Sequence, residues 1–376
     1  MKLINFILFS LVLVLCGCGE KKSEVEIIKI GCAAPLTGDQ AQIGKDNCQG
    51  AQLAVDQANK KGLIAGYKLE LLPLDDQHNP AQAVNVAKKF VADQRVLGVV
   101  GHFNSSCTMP ASAIYHEAHI VQISPASTNP EISKQGFDTF FRVAATDDVQ
   151  GPKGASYVAK SLGFKKVYVI DDKTTYGKGI ADEFEKAART LGLDVLGHEG
   201  ITQGDKDFTP LLTKIKPMNP DLIYFGGIYP EGALLLRQAR SLDVKATLMG
   251  GDGLASLVFV ELASAELAEG AYATMVGGDM KKMPSASQFI QDYESHYGEV
   301  GQWSAYGYDA ANIIIQAIQK AATKNRLKVL EAIREIPSFQ GVTGEVVFDE
   351  KGDNKNQFIG IFKFEGGKLV YVGPAE

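Results

Sequence analysis

The segment VLGVVGHFNSS, residues 96–106, decides the fold of this chain. Its first five residues are apolar and mostly β-branched, as in a buried strand, and the serines at its end are typical of a helix start. A helix start has free amide groups that attract a carboxylate or a phosphate. The segment ISPAST, residues 123–128, repeats this pattern after the next apolar run. Both segments are therefore predicted to be strand-to-helix turns that bind anions.

Ser105 and Thr128 are the candidate anion-binding residues of these turns. In an open α/β sheet the carboxyl ends of neighbouring strands face one crevice, so two successive turns predict one small acidic ligand held from both sides. The alternative is that each hydroxyl only caps a helix, which is the commoner role of such a residue taken alone. The prediction of a ligand therefore rests on the pair and on its context.

The rest of the chain alternates apolar, β-branched runs with segments of helical periodicity. This alternation predicts an α/β protein with parallel sheets and crossover helices. One sheet does not comfortably hold ten or more strands, so the series is expected to divide at 142–148, after which a helix should start at Pro152 and the strands restart. The predicted strands are 27–34, 69–74, 96–101, 119–124, 139–144, 166–171, 194–201, 221–227, 246–250 and 271–276.

The last part of the chain follows a different pattern. Near 275–284 the strands give way to helices, and the chain then returns to short strands. The predicted helices are 286–297, 308–322 and 327–335, and the predicted strands are 344–349, 358–365 and 369–372.

The first residues are interpreted as an export signal. Lys2 precedes the apolar run Phe6 to Leu15, which is shorter than the roughly 20 residues of a membrane span. The run ends in Leu15-Cys16-Gly17-Cys18, which resembles the bacterial lipoprotein box. The resemblance implies that residues 1–17 are a lipoprotein signal peptide, that Cys18 carries the lipid, and that residues 18–25 form a tether. The alternative is an ordinary cleaved signal with two incidental cysteines.

Composition excludes several classes of partner. The formal net charge is −6, and lysine and arginine do not cluster, which argues against binding to nucleic acid or to an anionic membrane surface. Contact with the membrane is therefore expected through the N-terminal lipid only. No cofactor is predicted, because the chain has neither a three-glycine dinucleotide fingerprint nor a phosphate-binding loop.

Three cysteines, Cys32, Cys48 and Cys107, remain after export. Because this number is odd, at least one thiol is free or pairs outside the chain. Cys32 ends the first strand and Cys48 lies early in the next helix, so these two either form a disulfide or stay as two buried thiols. The three cysteines lack Cys-x-x-Cys spacing and a histidine at ligand spacing, so no metal site is predicted.

Short motifs along the chain carry a family resemblance. In order and spacing they are similar to those of the branched-chain amino-acid-binding proteins of ABC importers, which have the type I periplasmic-binding fold. The resemblance implies two doubly wound parallel-sheet lobes joined by a three-strand hinge, with lobe 1 at 26–146 plus 275–352 and lobe 2 at 147–274 plus 353–376. The motifs are APLTG at 34–38, GAQLAV at 50–55, GHFNSS at 101–106, SPAST at 124–128, TYGKG at 175–179, KDF at 206–208 and GDG at 251–253.

The same resemblance implies how a ligand would be bound between the lobes. Its α-carboxylate would meet Ser105 and the hydroxyl and amide of Thr128, with Ser127 in the same turn. Its α-ammonium would meet the carbonyl of Ala126 and the carboxylate of Asp252. A zwitterion needs donors at one end and acceptors at the other, and these residues supply both.

Four further residues belong to the expected site. By resemblance, Tyr176 would close over the ligand from the second lobe. Phe103, Ile43 and Trp303 occupy places that could line a pocket for the ligand's side chain, although such residues are more often part of the core.

Three positions depart from the family pattern. The ammonium position carries Asp252, the shorter of the two acids found there. A tyrosine that often follows the Gly-Gly pair is Ile228 here, with Tyr229 one place later, which leaves the role of this turn open. The disulfide that some relatives form would fall at His78 and Asn104 and is therefore absent.

The sequence thus predicts a monomeric, extracytoplasmic binding lipoprotein, in the periplasm or at the cell surface, which delivers an aliphatic, branched-chain L-amino acid to an ABC permease and ATPase complex. Two alternative functions would use the same fold and are not excluded by the sequence. They are a sensor that presents its ligand to a receptor, and a binder of amides or aromatic acids. A periplasmic hydrolase is the competing class. It lacks support because no Gly-x-Ser-x-Gly elbow follows a strand and His116-Glu117-Ala118-His119 is one residue short of a zinc-protease motif. The chain is not expected to be an enzyme.

Overall fold

A computed structural model describes residues 25–376. The predicted signal peptide, Cys18 and nearly all of the tether lie outside the described residues. No helix within the described part of the chain is long and apolar enough to cross a membrane.

The strands agree with the prediction from apolar runs. Each of the ten predicted runs overlaps one of the first ten strands, and the structure adds the short strand β11, which the sequence pattern does not indicate. The strands are β1 (Glu26–Ala34), β2 (Tyr67–Asp75), β3 (Val96–Val100), β4 (Val121–Ser124), β5 (Phe140–Arg142), β6 (Lys166–Asp171), β7 (Asp194–Gly200), β8 (Leu222–Gly226), β9 (Thr247–Gly250), β10 (Tyr272–Val276), β11 (Phe339–Gly341), β12 (Gly344–Val346), β13 (Ile359–Glu365) and β14 (Lys368–Pro374).

Helices connect most of these strands and cover the sheets. They are α1 (Ala41–Lys61), α2 (Pro80–Ala92), α3 (Ser105–Glu117), α4 (Asp147–Tyr157), α5 (Thr175–Thr190), α6 (Thr209–Ile215), α7 (Tyr229–Ser241), α8 (Leu257–Ala263), α9 (Ala265–Ala268), α10 (Ser287–Tyr297), α11 (Ser304–Ala321) and α12 (Arg326–Arg334).

Two sheets with the same strand order form the core of the molecule. The first is parallel and runs β2-β1-β3-β4-β5. The second runs β14-β13-β10-β9-β8-β6-β7, in which β6 to β10 are parallel and repeat that order, and β13 and β14 are antiparallel additions. The order reverses beside β1 and β3 in one sheet and beside β6 and β8 in the other, which is where open α/β sheets bind ligands. The predicted α/β class with two doubly wound sheets is confirmed.

Two local predictions are wrong. The helix expected to start at Pro152 begins at Asp147, because the acidic residues Asp147 and Asp148 favour the first turn and the proline is accepted inside the helix. The turn at 123–128 does not lead into an α-helix. Pro125, Pro130 and Gly136 interrupt the segment, which forms a loop with one short 3₁₀ turn at Ser133–Gln135 before β5.

Three chain segments cross between the two sheets, at 143–146, 277–286 and 347–358. The first and third are joined by hydrogen bonds from Asn354 Nδ2 to Val143 O (3.1 Å) and from Thr146 N to Gln357 Oε1 (3.0 Å). After the second crossing α11 packs along α1, so the chain returns to the first sheet. Strand β10 lies wholly in the second sheet, two residues beyond the division expected at 274, and the exact lobe boundaries remain a proposal.

The three cysteines occupy buried positions. Cys32 at the end of β1 and Cys48 in α1 are joined by a disulfide, with their Cα atoms 5.9 Å apart. Cys107 in α3 is buried and is the one free thiol among residues 25–376. Of the two alternatives left open by the sequence, the structure has the disulfide.

Candidate ligand-binding site

A cavity of about 600 Å³ lies where the carboxyl ends of the two sheets face each other. This volume is within the usual range for a small-molecule site. The cavity brings together six of the eight residues predicted to bind a ligand, although they come from distant parts of the chain. The six are Phe103, Ser105, Ala126, Tyr176, Asp252 and Trp303, and Ile43 also lies in the wall.

Ser105 stands at the first turn of α3, directly after β3. Its side chain is buried, and its Oγ accepts a hydrogen bond from the N–H of Asn129 (3.3 Å). This bond joins the two turns that the sequence predicts to act together. The first turn of α3 faces the cavity, so it adds helix amides and the positive end of the helix dipole to this wall.

A buried scaffold holds the two turns in place. The carbonyl of His102 accepts hydrogen bonds from the hydroxyls of Ser124 (2.8 Å), Ser127 (3.1 Å) and Thr108 (3.1 Å). The imidazole of His102 lies 2.7 Å from Asp76 Oδ2, so the backbone on which the hydroxyls converge is itself anchored.

The structure does not place Ser127 or Thr128 in the cavity wall. The Ser127 hydroxyl is engaged with the His102 carbonyl, and its N–H donates to Ser124 Oγ (2.9 Å), so Ser127 has a structural role in this turn and its ligand role stays a prediction. Thr128 is fully buried two residues after Ala126. Its Oγ1 forms no hydrogen bond of ordinary geometry among residues 25–376, although it lies close to the Asp147 carboxyl. A ligand role for Thr128 remains a prediction.

Asp252 and Tyr176 form the opposite wall. Asp252 follows β9, and its Oδ1 accepts a hydrogen bond from the Tyr176 hydroxyl (2.9 Å). The same hydroxyl accepts from the N–H of Gly253 (2.8 Å). The N–H of Asp252 donates to Gln150 Oε1 (2.9 Å), which also accepts from Thr274. Gln150 in α4 therefore orients Asp252, a role that sequence reasoning missed.

Burial governs the protonation of these acids. It raises the pKa of Asp252 to about 6, although the hydrogen bond from Tyr176 opposes this shift. Asp147, at the start of α4, is also fully buried, and burial together with the negative charge of Asp252 raises its pKa well above the usual range. The positive charge of Arg142 opposes this shift of Asp147 only in part. Neither carboxylate forms an ion pair with a basic side chain of residues 25–376, which favours binding of a cationic group near them.

Asp147 is a second residue that sequence reasoning missed. Neither of its carboxylate oxygens has a hydrogen-bond partner within the described residues, and its N–H donates to the carbonyl of Thr128 (3.0 Å). The hydroxyl of Tyr224 is also buried and unpaired in that part of the chain. In the sequence this acid belongs to DDVQG at 147–151, a segment that also resembles the family but implies no role for Asp147.

The charged residues around the cavity are all acidic. The wall contains Asp46, Asp252, Glu261 and Glu299, and no lysine, arginine or histidine from residues 25–376 lines it. Asp46 is occupied structurally, since it accepts hydrogen bonds from the N–H of Trp303 (2.9 Å) and the Tyr293 hydroxyl (2.8 Å). Any bound carboxylate must therefore rely on amides and hydroxyls, while an ammonium finds Asp252.

Apolar side chains form the remainder of the wall. The rings of Phe103 and Trp303 pack edge to face with their centroids 5.3 Å apart. Ile43, which the sequence predicts for this pocket, also lines the cavity. Ile228, for which the sequence predicts no definite role, lines it too. Within the described residues no group of three or more histidine, cysteine or acidic side chains could hold a metal ion.

Comparison with known proteins agrees with this geometry. The family model described as "Periplasmic binding protein" matches residues 27–368. The chain belongs to the periplasmic binding protein family. It is 35% identical to a "Leu/Ile/Val-binding protein homolog 1" of Brucella suis, over 92% of this chain and 93% of that protein. It is 37% identical to a "Leucine-, isoleucine-, valine-, threonine-, and alanine-binding protein" of Pseudomonas aeruginosa, over 91% of each chain.

A solved structure gives the same picture. The substrate-binding protein LivJ of a branched-chain amino acid transporter from Streptococcus pneumoniae, crystallised with isoleucine, superposes with a TM-score of 0.85. The two sequences are 30% identical, and the match covers 93% of this chain and all of that one. The type I periplasmic-binding fold predicted from the motifs is therefore confirmed for this binding protein.

The two lobes of this periplasmic binding protein touch across the mouth of the cavity. The Tyr229 hydroxyl donates to the carbonyl of Asp39 (2.6 Å), and Asn129 Nδ2 donates to the carbonyl of Thr175 (2.6 Å). The first contact gives Tyr229, whose role was open, a place in closing the cleft. Both contacts join residues of the first lobe to residues of the second, so the two lobes are in direct contact beside the cavity.

A hydrogen-bonded bridge occupies the place where some relatives have a disulfide. Asn104 Nδ2 donates to Gln40 Oε1 (3.0 Å), and Gln40 Nε2 contacts His78 Nδ1. Gln203 of the second lobe reaches the same nitrogen of His78 (2.8 Å). His78 and Asn104 are therefore linked through one buried glutamine, and this link extends to the opposite lobe.

Proposed function

We propose that this protein is the solute-binding component of an ABC importer and that it captures a branched-chain, aliphatic L-amino acid between its lobes. One observation carries the proposal. The cavity presents hydroxyl and helix-amide donors at Ser105, a buried carboxylate at Asp252, and an apolar wall that includes Phe103 and Trp303. A small zwitterion with an aliphatic side chain satisfies all three.

The charge of the wall argues against the competing ligands on the same fold. An aromatic acid carries a carboxylate but no ammonium, so it would bring a negative charge toward Asp252 without a compensating partner. A dicarboxylic amino acid would meet no basic side chain in the wall described above. Two similar proteins support the same choice. One is named for binding leucine, isoleucine, valine, threonine and alanine, and LivJ was crystallised with isoleucine.

Asp147 extends the proposed ammonium site. It lies behind Thr128 and close enough to Asp252 for the two charges to affect each other. Burial and the charge of Asp252 favour the protonated form of Asp147 before binding. A ligand ammonium near Asp252 would offset this negative charge and favour ionisation of Asp147, which would then add a second carboxylate to the ammonium site.

A thermal-shift panel on denatured and refolded protein tests the proposed function, because refolding removes ligand carried over from the cell. Leucine, isoleucine and valine should each raise the melting temperature, with a gain of about 2.7 kcal/mol at 100 times Kd. Glutamate, benzoate and 4-methylpentanoate are the matched comparisons. Stabilisation by benzoate or by an amide, with none by the three amino acids, would overturn the substrate and leave the fold intact.

Binding is expected to weaken as the pH falls through about 6. The pKa of Asp252 is raised to about 6 by burial, so at lower pH a proton competes with the ligand's ammonium for this carboxylate. One such proton predicts roughly tenfold weaker binding at pH 5 than at pH 7. Calorimetry at the two pH values measures this change, and Asp252→Asn should give a flat profile. Equal affinity of the wild type at both values would exclude Asp252 as the ammonium partner.

As the pH falls, the free energy of unfolding of the ligand-free protein should increase, whereas the binding affinity decreases. Because the folded pKa of Asp252 lies above its ordinary value of 3.8, the folded state binds the proton more readily than the unfolded state between these values. This contribution to stability therefore increases as the pH falls from about 6 toward 4. The buried Asp46 and Asp309, whose pKa values are raised to about 6, should add to the trend.

We also propose that the mature protein is anchored through lipid on Cys18 and delivers its ligand to a permease and ATPase complex as a monomer without enzymatic activity. The lipoprotein-box resemblance at 15–18 supports the anchor. Labelled palmitate should be incorporated into the wild type and into Cys16→Ala, whose cysteine precedes the cut, but not into Cys18→Ala. Equal labelling of the two variants would contradict the anchor.

A further inference from the structure

Arg142 is a fully buried arginine whose donors all point to the loop after β4 and to the third crossing. It ends β5, and no atom of its side chain lies in the cavity wall. Its Nη1 donates to the carbonyls of Ser127 and Asn129, both at 2.8 Å. Its Nη2 donates to Ser133 Oγ (3.0 Å). The guanidinium therefore fixes two backbone carbonyls of the loop after β4.

The counter-charge of Arg142 comes from the segment that crosses between the lobes. Arg142 Nε donates to Asp353 Oδ1 (2.5 Å), and Ser133 Oγ donates to Asp353 Oδ2 (2.8 Å). The N–H of Arg142 also donates to the carbonyl of Gly352 (2.9 Å). Gly352 has φ +86°, and a Cβ there would lie 2.1 Å from the carbonyl oxygen of Phe140, so only glycine allows this close approach.

The contact with the Ser127 carbonyl determines the direction of a neighbouring amide. In a planar trans peptide the C=O and the N–H point in opposite directions. Holding the Ser127 carbonyl toward Arg142 therefore turns the N–H of Thr128 away from the guanidinium. The next N–H, that of Asn129, is used by Ser105 Oγ. The N–H of Thr128 itself has no hydrogen-bond partner among residues 25–376, and Ala126, two residues earlier, lines the cavity, so this amide is available to a ligand.

We propose that Arg142, held by Asp353, is a positioning residue that sets the carboxylate-binding half of the ligand site and ties it to the third crossing between the lobes. This inference rests on the proposed function, because it assigns the amide of Thr128 to the ligand's carboxylate. Arg142 touches no ligand. Its effect on affinity comes from the direction of the peptide group between Ser127 and Thr128. A displacement of this group by about 1 Å is enough to weaken binding.

Three variants separate this role from a purely structural one. Arg142→Met removes the donors and keeps much of the length, and Asp353→Asn removes the counter-charge and one of the two acceptor oxygens in a side chain of the same size. Arg326→Met is the matched control, since Arg326 also binds several backbone carbonyls, including those of Asp93 (2.9 Å) and Val96 (3.0 Å), but does so at the start of β3, away from the cavity. All three should lower thermal stability.

Calorimetry on the folded proteins measures the affinity for leucine and for leucinamide, which lacks the carboxylate. The ratio of these two affinities decides the test. Arg142→Met should bind leucine about tenfold more weakly or worse, and leucinamide within about twofold of wild type. Asp353→Asn should show a smaller loss in the same direction, and it serves as the test if Arg142→Met does not fold. Arg326→Met should keep both affinities.

A folded Arg142→Met or Asp353→Asn with the wild-type ratio of leucine to leucinamide affinity would overturn the positioning role and leave the proposed function standing. A wild type that binds neither leucine nor its branched-chain analogues would overturn both proposals together. The two failures are therefore distinguishable in one set of titrations.

Discussion

Replacing Asp252 with alanine is expected to weaken leucine binding by about 30-fold or more, the largest effect of any single side chain in the site. The reason is that Asp252 would hold a desolvated ammonium, and losing one partner of a buried charge pair costs roughly 2–5 kcal/mol. Ser105→Ala should cost about 1–3 kcal/mol, because backbone amides remain to bind the carboxylate. Isothermal titration of each variant gives the comparison.

Two further variants make the Asp252 result specific. Asp252→Asn keeps the shape and the acceptor for the Tyr176 hydroxyl but removes the charge, so it should lose most of the same affinity. Asp243→Asn changes an exposed acid in the same lobe and should bind as wild type does. If Asp252→Ala binds leucine with unchanged affinity, either the ammonium is held elsewhere or the natural ligand has none.

Removing the disulfide should lower the free energy of unfolding by about 3 kcal/mol, the second large effect. The bond between Cys32 and Cys48 closes a loop with a sequence separation of 16 residues, which restricts the unfolded chain. The double variant Cys32→Ala, Cys48→Ala removes the link without adding a buried hydroxyl. Urea denaturation of this variant and of Cys107→Ala measures the effect, with the latter as the control for loss of a buried thiol.

Thiol alkylation gives an independent check of the disulfide. In denaturant without reductant only Cys107 should react on the exported protein, because the other two described cysteines are bonded. Three reactive thiols on mature protein would contradict the bridge.

The elements that sequence could predict are those determined by local pattern. Apolar runs such as 96–100 and 222–226 are buried on both faces of a parallel sheet, so they stand out clearly from the helices that flank them. The cavity follows from the same logic, because Ser105 and Tyr176 both come directly after strands at which the sheet order reverses. The position of each residue after such a strand is therefore sufficient to predict that the two lie near one cavity.

The elements that sequence could not predict depend on the direction of side chains and on distant partners. Ser127 has the expected hydroxyl in the expected turn, but the carbonyl of His102 uses it. Arg142 and Asp353 are 211 residues apart, and nothing in either segment signals the other. Asp147 and Gln150 looked like ordinary residues of a helix start, and only the fold brings them behind Asp252.

The central claim is that the cavity recognises an ammonium and a carboxylate on one small aliphatic molecule. Calorimetric titration of refolded wild-type protein with leucine and with 4-methylpentanoate, which differs by the missing ammonium, tests it most directly. Leucine should bind to a single site, and the acid should bind about 30-fold more weakly or not at all. Binding of 4-methylpentanoate as tightly as leucine would contradict the account.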